Sequence, residues 1–174
     1  MDAGYDVGLI VRAQAGDRQA LEQVLTDIAP PLRRYLARIT GERADDVLQE
    51  TLFRIWRNLA WLREPVLFRP WAYRIATREA FRYLRRERKH EEGRADPSAL
   101  EQAPAPLADP AERLFIESAL SRITPLARAV LAAHYLEGLT LEETAAATET
   151  PPGTIKSRLA SGLRQARALM EASS

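Results

Sequence analysis

Apolar residues recur every three or four positions along most of the chain, a spacing that is typical of α-helices. No segment shows the strict alternation of apolar and polar residues that marks a half-buried β-strand. In the N-terminal half, the predicted helices are one that begins after Asp17, one over residues 44–62 and one over residues 70–89. In the C-terminal half, they cover residues 111–121, 125–137, 141–148 and 153–170. The pattern therefore predicts an all-α fold.

A proline-rich, acidic segment interrupts the helical pattern in the middle of the chain. It reads HEEGRADPSALEQAPAPLAD over residues 90–109, and its prolines exclude a long helix. Such a composition is typical of an extended, mobile linker. We therefore predict two small helical domains joined by a flexible linker. The predicted boundaries are residues 1–89 for the first domain, 90–110 for the linker and 111–174 for the second domain.

The distribution of charge agrees with this division. The formal net charge is only +1, but residues 1–89 hold 17 Lys and Arg against 12 Asp and Glu. Residues 90–111 hold 1 against 5, and residues 112–174 hold 7 of each sign. Segments that differ in charge and composition indicate separate modules.

The composition also excludes several classes of protein. The chain has no cysteine, so disulfides and thiolate metal sites are impossible. No apolar run approaches the roughly 20 residues that cross a bilayer, and the N-terminus lacks the order of a signal peptide. We therefore predict a cytoplasmic protein that does not insert into a membrane.

The predicted helix over residues 70–89 carries a column of cations. On a helical wheel, one face lies within roughly 80° of Arg74, and its other members are Trp71, Arg78, Phe81, Arg82, Arg85, Arg88 and Lys89. Glu79 and Glu87 project to the flank and the apolar side of this helix. Cations interleaved with aromatic rings suit single-stranded nucleic acid, with Arg on phosphates and rings stacked on bases. The alternative is a solvated, Arg-rich face.

The segment over residues 140–163 predicts a helix-turn-helix in the second domain. Thr140 and Glu143 form a capping box, and the sequence Pro-Pro-Gly supplies a turn before the second helix. A recognition helix enters the major groove with its N-terminal half leading. The polar residues offered there for duplex DNA are Thr154, Lys156, Ser157 and Arg158. The alternative is a helical hairpin with ordinary surface charges.

The predicted helix that starts near residue 44 has an acidic beginning. Asp46, Gln49 and Glu50 fall close together at helical spacing, next to the apolar Phe53 and Trp56. This combination suits the surface for a protein partner. Two alternatives remain at this point: the acids stabilise the helix dipole on a solvated face, and the rings belong to the core.

The sequence contains no recognisable catalytic or metal-binding constellation. His90 and His134 have no companion His or Cys at metal-ligand spacing, and there is no phosphate loop, GxSxG elbow or HExxH motif. We therefore predict a protein that is not an enzyme and has no metal, cofactor or small-molecule substrate.

Taken together, three motifs resemble those of the extracytoplasmic-function (ECF) sigma factors, the small group of the sigma-70 family. They are ADDVLQETLFRIWR, FRPWAYRIATREAFRYLRRERK and the C-terminal stretch that contains EETAAATETPPGTIKSRLASGL. The resemblance spans about residues 6–89 and 111–170. It implies a factor that binds core RNA polymerase and directs promoter-specific initiation of transcription. It also implies that an anti-sigma factor sequesters the protein.

The resemblance further implies roles for individual residues. The residues that would bind the clamp helices of the polymerase β′ subunit are Asp46, Gln49, Glu50, Phe53 and Trp56. Those that would engage and melt the −10 element are Trp71, Arg74, Arg78, Glu79, Phe81, Arg82, Arg85, Arg86 and Lys89. The C-terminal domain would bind the β flap and read the −35 element through Thr154, Lys156, Ser157 and Arg158.

The chain departs from the family pattern at several positions. Glu79 stands where the family usually has Asn, so we hypothesise that it accepts a hydrogen bond from a cytosine amine or repels phosphate. Unchanged promoter preference in a Glu79→Asn variant would reject the specificity role. The remaining departures are Thr144, Thr148, Glu149 and Thr150, which replace the usual Ile, Leu, Gly and Val. The threonines predict a weaker second core, because buried hydroxyl groups need partners.

Two other functions are compatible with parts of this pattern. A free-standing helix-turn-helix regulator would account for the C-terminal motif, but not for the Arg–aromatic column or the acidic helix. A sigma-like mimic that titrates an anti-sigma factor would not need an intact DNA surface.

Overall fold

The computed structural model describes the backbone of residues 5–91 and 123–171, and the side chains of residues 5–87 and 123–165. Within these ranges the regular structure is helical throughout, which confirms the all-α prediction. The first module consists of α1 (Val7–Gln14), α2 (Arg18–Thr40), α3 (Ala44–Asn58) and α4 (Phe68–Glu91). The second consists of α5 (Pro125–Leu131), α6 (Leu141–Thr148) and α7 (Pro152–Glu171). The predicted linker over residues 90–110 begins too early, because α4 continues through residues 90 and 91. The rest of that linker and the predicted helix over residues 111–121 lie outside the described residues.

Helix α2 forms the centre of the first module. Asp17 caps its N-terminus by accepting a hydrogen bond from the Ala20 amide, as the sequence predicts. The helix runs on through Pro30 and Pro31, each of which removes a backbone donor. The Tyr5 hydroxyl donates to the carbonyl oxygen of Asp27 at 3.4 Å, one of the carbonyls that the prolines leave without its helical partner. This contact helps a 23-residue helix to continue past two prolines.

The first core lies between α2, α3 and α4. Its largest enclosed side chains are Ile28, Leu32, Tyr35, Leu36, Ile55, Phe68 and Tyr73. The Tyr35 hydroxyl and Thr77 Oγ1 form a hydrogen bond of 2.8 Å, and the ring of Tyr35 packs edge-on against Tyr73 at 5.1 Å. The core therefore fixes α4 against α2. One face of α4 packs inward, and the opposite face lies at the surface.

Two segments differ from the sequence prediction. Helix α1 was not predicted, although Asp6 caps it and Ile10 is fully buried. Its eight residues offer only about two turns of periodic pattern. The prediction of one helix over residues 44–62 was too long. Helix α3 ends at Asn58, and 3₁₀ turns at Leu59–Trp61 and Pro65–Leu67 lead into α4.

The second module contains the predicted helix-turn-helix. The capping box between Thr140 and Glu143 is present, with hydrogen bonds of 3.1 and 2.8 Å in the two directions. The expected helix over residues 125–137 ends as a π-helical turn over Ala132–Leu136. The inner face of α7 is Ile155, Leu159 and Leu163, all buried as predicted.

The buried threonines of this module have partners. Thr148 Oγ1 donates to the carbonyl oxygen of Thr144 at 2.7 Å, and Thr144 Oγ1 donates to that of Leu139 at 3.5 Å. Thr150 Oγ1 donates to the carbonyl oxygen of Thr148 at 3.3 Å. Because hydrogen-bonded hydroxyls avoid most of the cost of burial, the threonines weaken this core less than unpartnered hydroxyls would.

Gly162 permits close packing of α7 on α5. A Cβ atom built there would lie 2.6 Å from Leu131 Cδ1, and Leu131 is fully buried. Replacing Gly162 with alanine is therefore expected to lower the free energy of unfolding by about 1–3 kcal/mol. Urea unfolding measures this loss. The control is Gly153→Ala in the first turn of the same helix, where nothing lies within 4 Å and a neutral or stabilising change is expected. Equal losses in both variants would contradict the close approach.

The two modules pack against each other around Glu137. Its side chain is 2% exposed and receives Arg38 at 2.8 Å, Arg34 at 3.4 Å and the Tyr73 hydroxyl at 3.1 Å, all from the first module. Arg69 also donates to the Glu137 carbonyl oxygen. Burial, reinforced by the neighbouring carboxylate of Glu137, raises the pKa of Tyr73 well above its ordinary value, so the phenol remains a donor. This contact between modules was not predicted from the sequence.

Candidate nucleic-acid interface

The cation column of α4 lies on the outer side of the first module. Arg78, Arg85 and Arg86 are exposed, whereas Arg74 and Arg82 are half-buried. The opposite side of the helix is buried through Ala72, Tyr73, Ala76 and Ala80. The core therefore orients the helix as the wheel predicts. The side chain of Lys89 lies outside the described residues.

The two aromatic residues of the column occupy different positions. Trp71 is half-buried and packs on Phe68 with ring centroids 6.1 Å apart. It also lines an open cleft together with Arg78, Arg82 and Trp61. Phe81 is half-buried and packs on the first core. Trp71 is therefore the ring of the column that borders the cleft beside the arginines.

Trp61 is 81% exposed and was not among the residues predicted from the sequence. It belongs to the 3₁₀ turn between α3 and α4, and the cleft places it beside Trp71. Exposing a large aromatic side chain to water is unfavourable, so its exposure beside Trp71 indicates a candidate contact surface. Its position in a turn outside the predicted column hid it from a helical-wheel argument. The available signal was an aromatic residue shortly before the helix-ending sequence Arg63-Glu64-Pro65.

Glu79 lies beneath this cleft and connects α3 to α4. Its side chain is 5% exposed, and Oε2 lies 3.0 Å from Arg82 Nη1. Oε1 lies 2.8 Å from Arg54 Nε in a second ion pair. Arg54 in turn pairs with Glu50 at 2.8 Å. A continuous chain of charges therefore runs from Glu50 on α3 to Arg82 on α4.

The acidic and aromatic residues of α3 form one exposed surface. Asp46, Gln49 and Glu50 are exposed, and the Phe53 and Trp56 side chains are 48% and 51% exposed. The rings of Phe53 and Trp56 lie 5.5 Å apart. The alternative that these two rings belong to the core is wrong. We call this set, Asp46, Gln49, Glu50, Phe53 and Trp56, the α3 surface.

The candidate duplex-binding residues lie at the start of α7. Lys156 and Ser157 are exposed, and Thr154 and Arg158 are half-buried. Ser157 Oγ donates to the Thr154 carbonyl oxygen at 2.9 Å, which holds its hydroxyl against the first turn. The burial of Ile155 and Leu159 turns this polar side outward.

Glu149 brings the second module onto the cation column. It pairs with Arg78 through two contacts, Nε–Oε2 at 2.9 Å and Nη2–Oε1 at 2.5 Å. The hydrogen bond from Arg78 holds the pKa of the Glu149 carboxyl below its usual range. Glu149 ends α6 in the left-handed conformation, with φ 52° and ψ 33°. That conformation costs a non-glycine residue about 1–2 kcal/mol, so glycine would be the easier residue here.

Groups that could hold a metal are absent from the part of the chain that the structure describes. His134 Nδ1 lies 2.7 Å from the Leu139 carbonyl oxygen, a contact that ties the π-helical turn to the start of the next loop. None of the helices within the described ranges has the length and apolar character required to span a bilayer.

Comparison with known proteins identifies the family. The Sigma-70 region 2 profile matches residues 25–90, and the Sigma-70 region 4 profile matches residues 115–165. The ECF RNA polymerase sigma factor SigM of Mycobacterium tuberculosis is 31% identical over 162 residues, covering 89% of this chain and 79% of that protein. This chain belongs to the ECF sigma factors. The resemblance carried by the three sequence motifs is thereby confirmed.

Other ECF sigma factors are similar at the levels of sequence and fold. SigL of Mycobacterium tuberculosis is 28% identical, covering 91% of this chain and 93% of that protein. The sigma factor RpoE, solved with the anti-sigma factor NepR from Bartonella quintana, has a TM-score of 0.69 at 20% identity. That match covers 86% of this chain and 96% of RpoE. CnrH, solved with the cytosolic domain of CnrY, has a TM-score of 0.70 at 22% identity, covering 97% and 99% of the two chains. The fold is therefore that of ECF sigma factors.

Proposed function

We propose that this ECF sigma factor binds core RNA polymerase through the α3 surface and directs initiation at promoters. In this proposal, α4 engages and melts the −10 element, and the start of α7 reads the −35 element as duplex DNA. The domains would be residues 1–89 for clamp binding and −10 recognition, 90–110 for the linker and 111–174 for −35 recognition. The protein would act without catalysis or a cofactor, in the cytoplasm with the polymerase.

One observation carries this proposal. Two surfaces of complementary character, the α3 surface and the cation column of α4, stand on neighbouring helices. They are connected by the chain of ion pairs through Arg54 and Glu79. Exposed aromatic rings suit a protein partner, and the acids beside them can pair with its cations. Arginines beside Trp61 and Trp71 suit unpaired bases. A duplex-DNA regulator needs only the α7 surface, so the first module favours the sigma function.

Transcription with purified components tests the proposal. Core polymerase supplemented with this protein is expected to start transcripts at defined positions on fragments of the native genome. Core polymerase alone supplies the control. A free-standing regulator would bind DNA but would start no transcripts, and a mimic would bind an anti-sigma factor without starting transcripts. Either outcome would reject the proposal.

Anti-sigma factors are the expected negative regulators. RpoE and CnrH are both found in complexes, with NepR and with the cytosolic domain of CnrY respectively. We propose that a protein of this class covers the α3 surface and the C-terminal module of this sigma factor. Capture from native cells with the full chain as bait is expected to recover such a partner together with polymerase.

Trp71 is expected to support strand opening more than polymerase binding. A Trp71→Ala variant loses a stacking surface for a base, which is worth about 1–3 kcal/mol. Opening of promoter DNA is therefore expected to fall by roughly tenfold, as measured with permanganate on unpaired thymines. Trp71→Phe keeps an aromatic face and is expected to restore much of the opening. Equal losses of opening and polymerase affinity in Trp71→Ala would count against stacking.

Lys156 and Arg158 are expected to contribute to the salt dependence of promoter binding. Each phosphate contact that is removed lowers the slope of log affinity against log salt by about 0.9. The double alanine variant is therefore expected to bind promoter DNA more weakly, with a slope smaller by about one to two. The comparison uses the sigma–polymerase complex over a range of salt. An unchanged slope would remove both residues from the interface.

A further inference from the structure

The C-terminal module covers part of the surface that is proposed to hold single-stranded DNA. Helix α6 packs beside α4, and the two border a cleft that contains Trp71, Arg74, Glu143 and Ala146. Glu149, at the end of α6, accepts hydrogen bonds from Nε and Nη2, which form one two-donor edge of the Arg78 guanidinium. A planar guanidinium binds a carboxylate and a phosphate in the same two-point geometry, so the two acceptors compete for Arg78.

The position of Glu149 supports a role beyond ordinary surface charge. It occupies a left-handed backbone conformation that glycine adopts more easily. The chain nevertheless places an acid there, and that acid reaches a helix 71 residues earlier in the sequence. Glu137 provides a second and more enclosed anchor between the modules, through Arg38 and Tyr73.

We propose that this sigma factor closes on itself, with Glu149 occupying on Arg78 the place that a DNA phosphate takes in the open form. The inference rests on the proposed function, because α4 is taken to hold the melted strand. In the closed form, Arg78 is neutralised and the cleft beside Trp71 is bordered by protein. Binding of single-stranded DNA therefore requires the modules to separate. The apparent association constant is the constant of the open form multiplied by the fraction of molecules that are open.

The first test measures binding of a labelled random-sequence single-stranded oligonucleotide to the full chain by fluorescence anisotropy. Glu149→Gly removes the competing acid and suits the backbone, so affinity is expected to rise by about threefold to fivefold. Glu22→Gln, at an exposed acid on α2, changes the net charge equally and is expected to have less than half that effect. An unchanged affinity in Glu149→Gly, or an equal gain in Glu22→Gln, would overturn the proposal.

The second test locks the closed form. Because the chain lacks cysteine, Leu67→Cys and Ala146→Cys introduce two thiols that line the same cleft, one on each module. A short bis-maleimide is expected to join them, and the joined protein to bind the oligonucleotide at least about tenfold more weakly. Each single variant treated with the reagent is the control. Failure of the thiols to join, or undiminished binding after joining, would refute closure.

These measurements need no polymerase, so they separate the two proposals. Absence of transcripts from core polymerase would reject the sigma function, whatever the oligonucleotide affinities. Transcripts from a protein whose affinity responds neither to Glu149→Gly nor to the cross-link would retain the sigma function and reject closure.

Discussion

Replacing both Phe53 and Trp56 with alanine is expected to weaken the affinity for core polymerase by roughly a hundredfold or more. The two rings pack on each other and are about half exposed, so folding leaves much of their apolar area in contact with water. Aromatic anchors of this kind contribute about 2 kcal/mol or more each when a partner buries them. Titration of core polymerase with labelled protein measures the loss.

The matched control is Trp61→Ala. Trp61 is more exposed than either ring of the α3 surface, but it lies beside the cleft of α4. Its removal is expected to change polymerase affinity by only about twofold, while reducing promoter opening. Equal losses in the two variants would show that exposed aromatic area in general binds the polymerase. Full affinity in the Phe53 and Trp56 double variant would exclude the α3 surface.

Glu79→Ala is expected to destabilise the first module by about 2–3 kcal/mol. Removing a buried carboxylate from a paired network costs about 3–5 kcal/mol, and the two arginines, which remain 37% and 39% exposed, recover part of this through water. The change is measured by urea unfolding of the full chain. A Glu79→Gln variant, which keeps one acceptor for the arginines, is expected to lose less.

Glu87→Ala provides the comparison on the same helix. Glu87 is exposed, so its removal is expected to change stability by no more than about 0.5 kcal/mol. If Glu79→Ala were equally neutral while altering −10 base preference, Glu79 would be a base-reading residue. A loss of stability with unchanged base preference would instead make it a positioning residue for Arg54 and Arg82.

Local signals in the sequence predicted much of the fold. Asp17 and the pair Thr140 and Glu143 marked the starts of two helices, because capping depends only on residues a few positions apart. The outward face of α4 followed from helical periodicity, since Ala72 and Tyr73 had to pack inward. The α3 surface was similarly visible as a cluster, although only the structure excluded its rings from the core.

The contacts that were missed join residues far apart in the chain. The position of Glu79 was predicted from the helical wheel of α4 alone, whereas its carboxylate is buried against Arg54 of α3. Glu149 was noted as a departure at a glycine position, but its partner Arg78 lies 71 residues away. Periodicity orients a helix about its own axis without specifying what covers it. Long-range pairing of this kind therefore required the folded arrangement.

The enclosure of Glu137 has a consequence for exchanging domains between relatives. Arg34, Arg38 and Tyr73 converge on a carboxylate that another domain supplies. In a chimera with a foreign C-terminal half, Arg34, Arg38 and Tyr73 remain in the first module. They keep an acidic partner only if the foreign half carries an acid at the site equivalent to Glu137. Replacing the C-terminal module to change −35 specificity would then also weaken the packing between the two modules. Engineered hybrids should keep Glu137 in place, and natural recombinants should retain the acid together with its three partners.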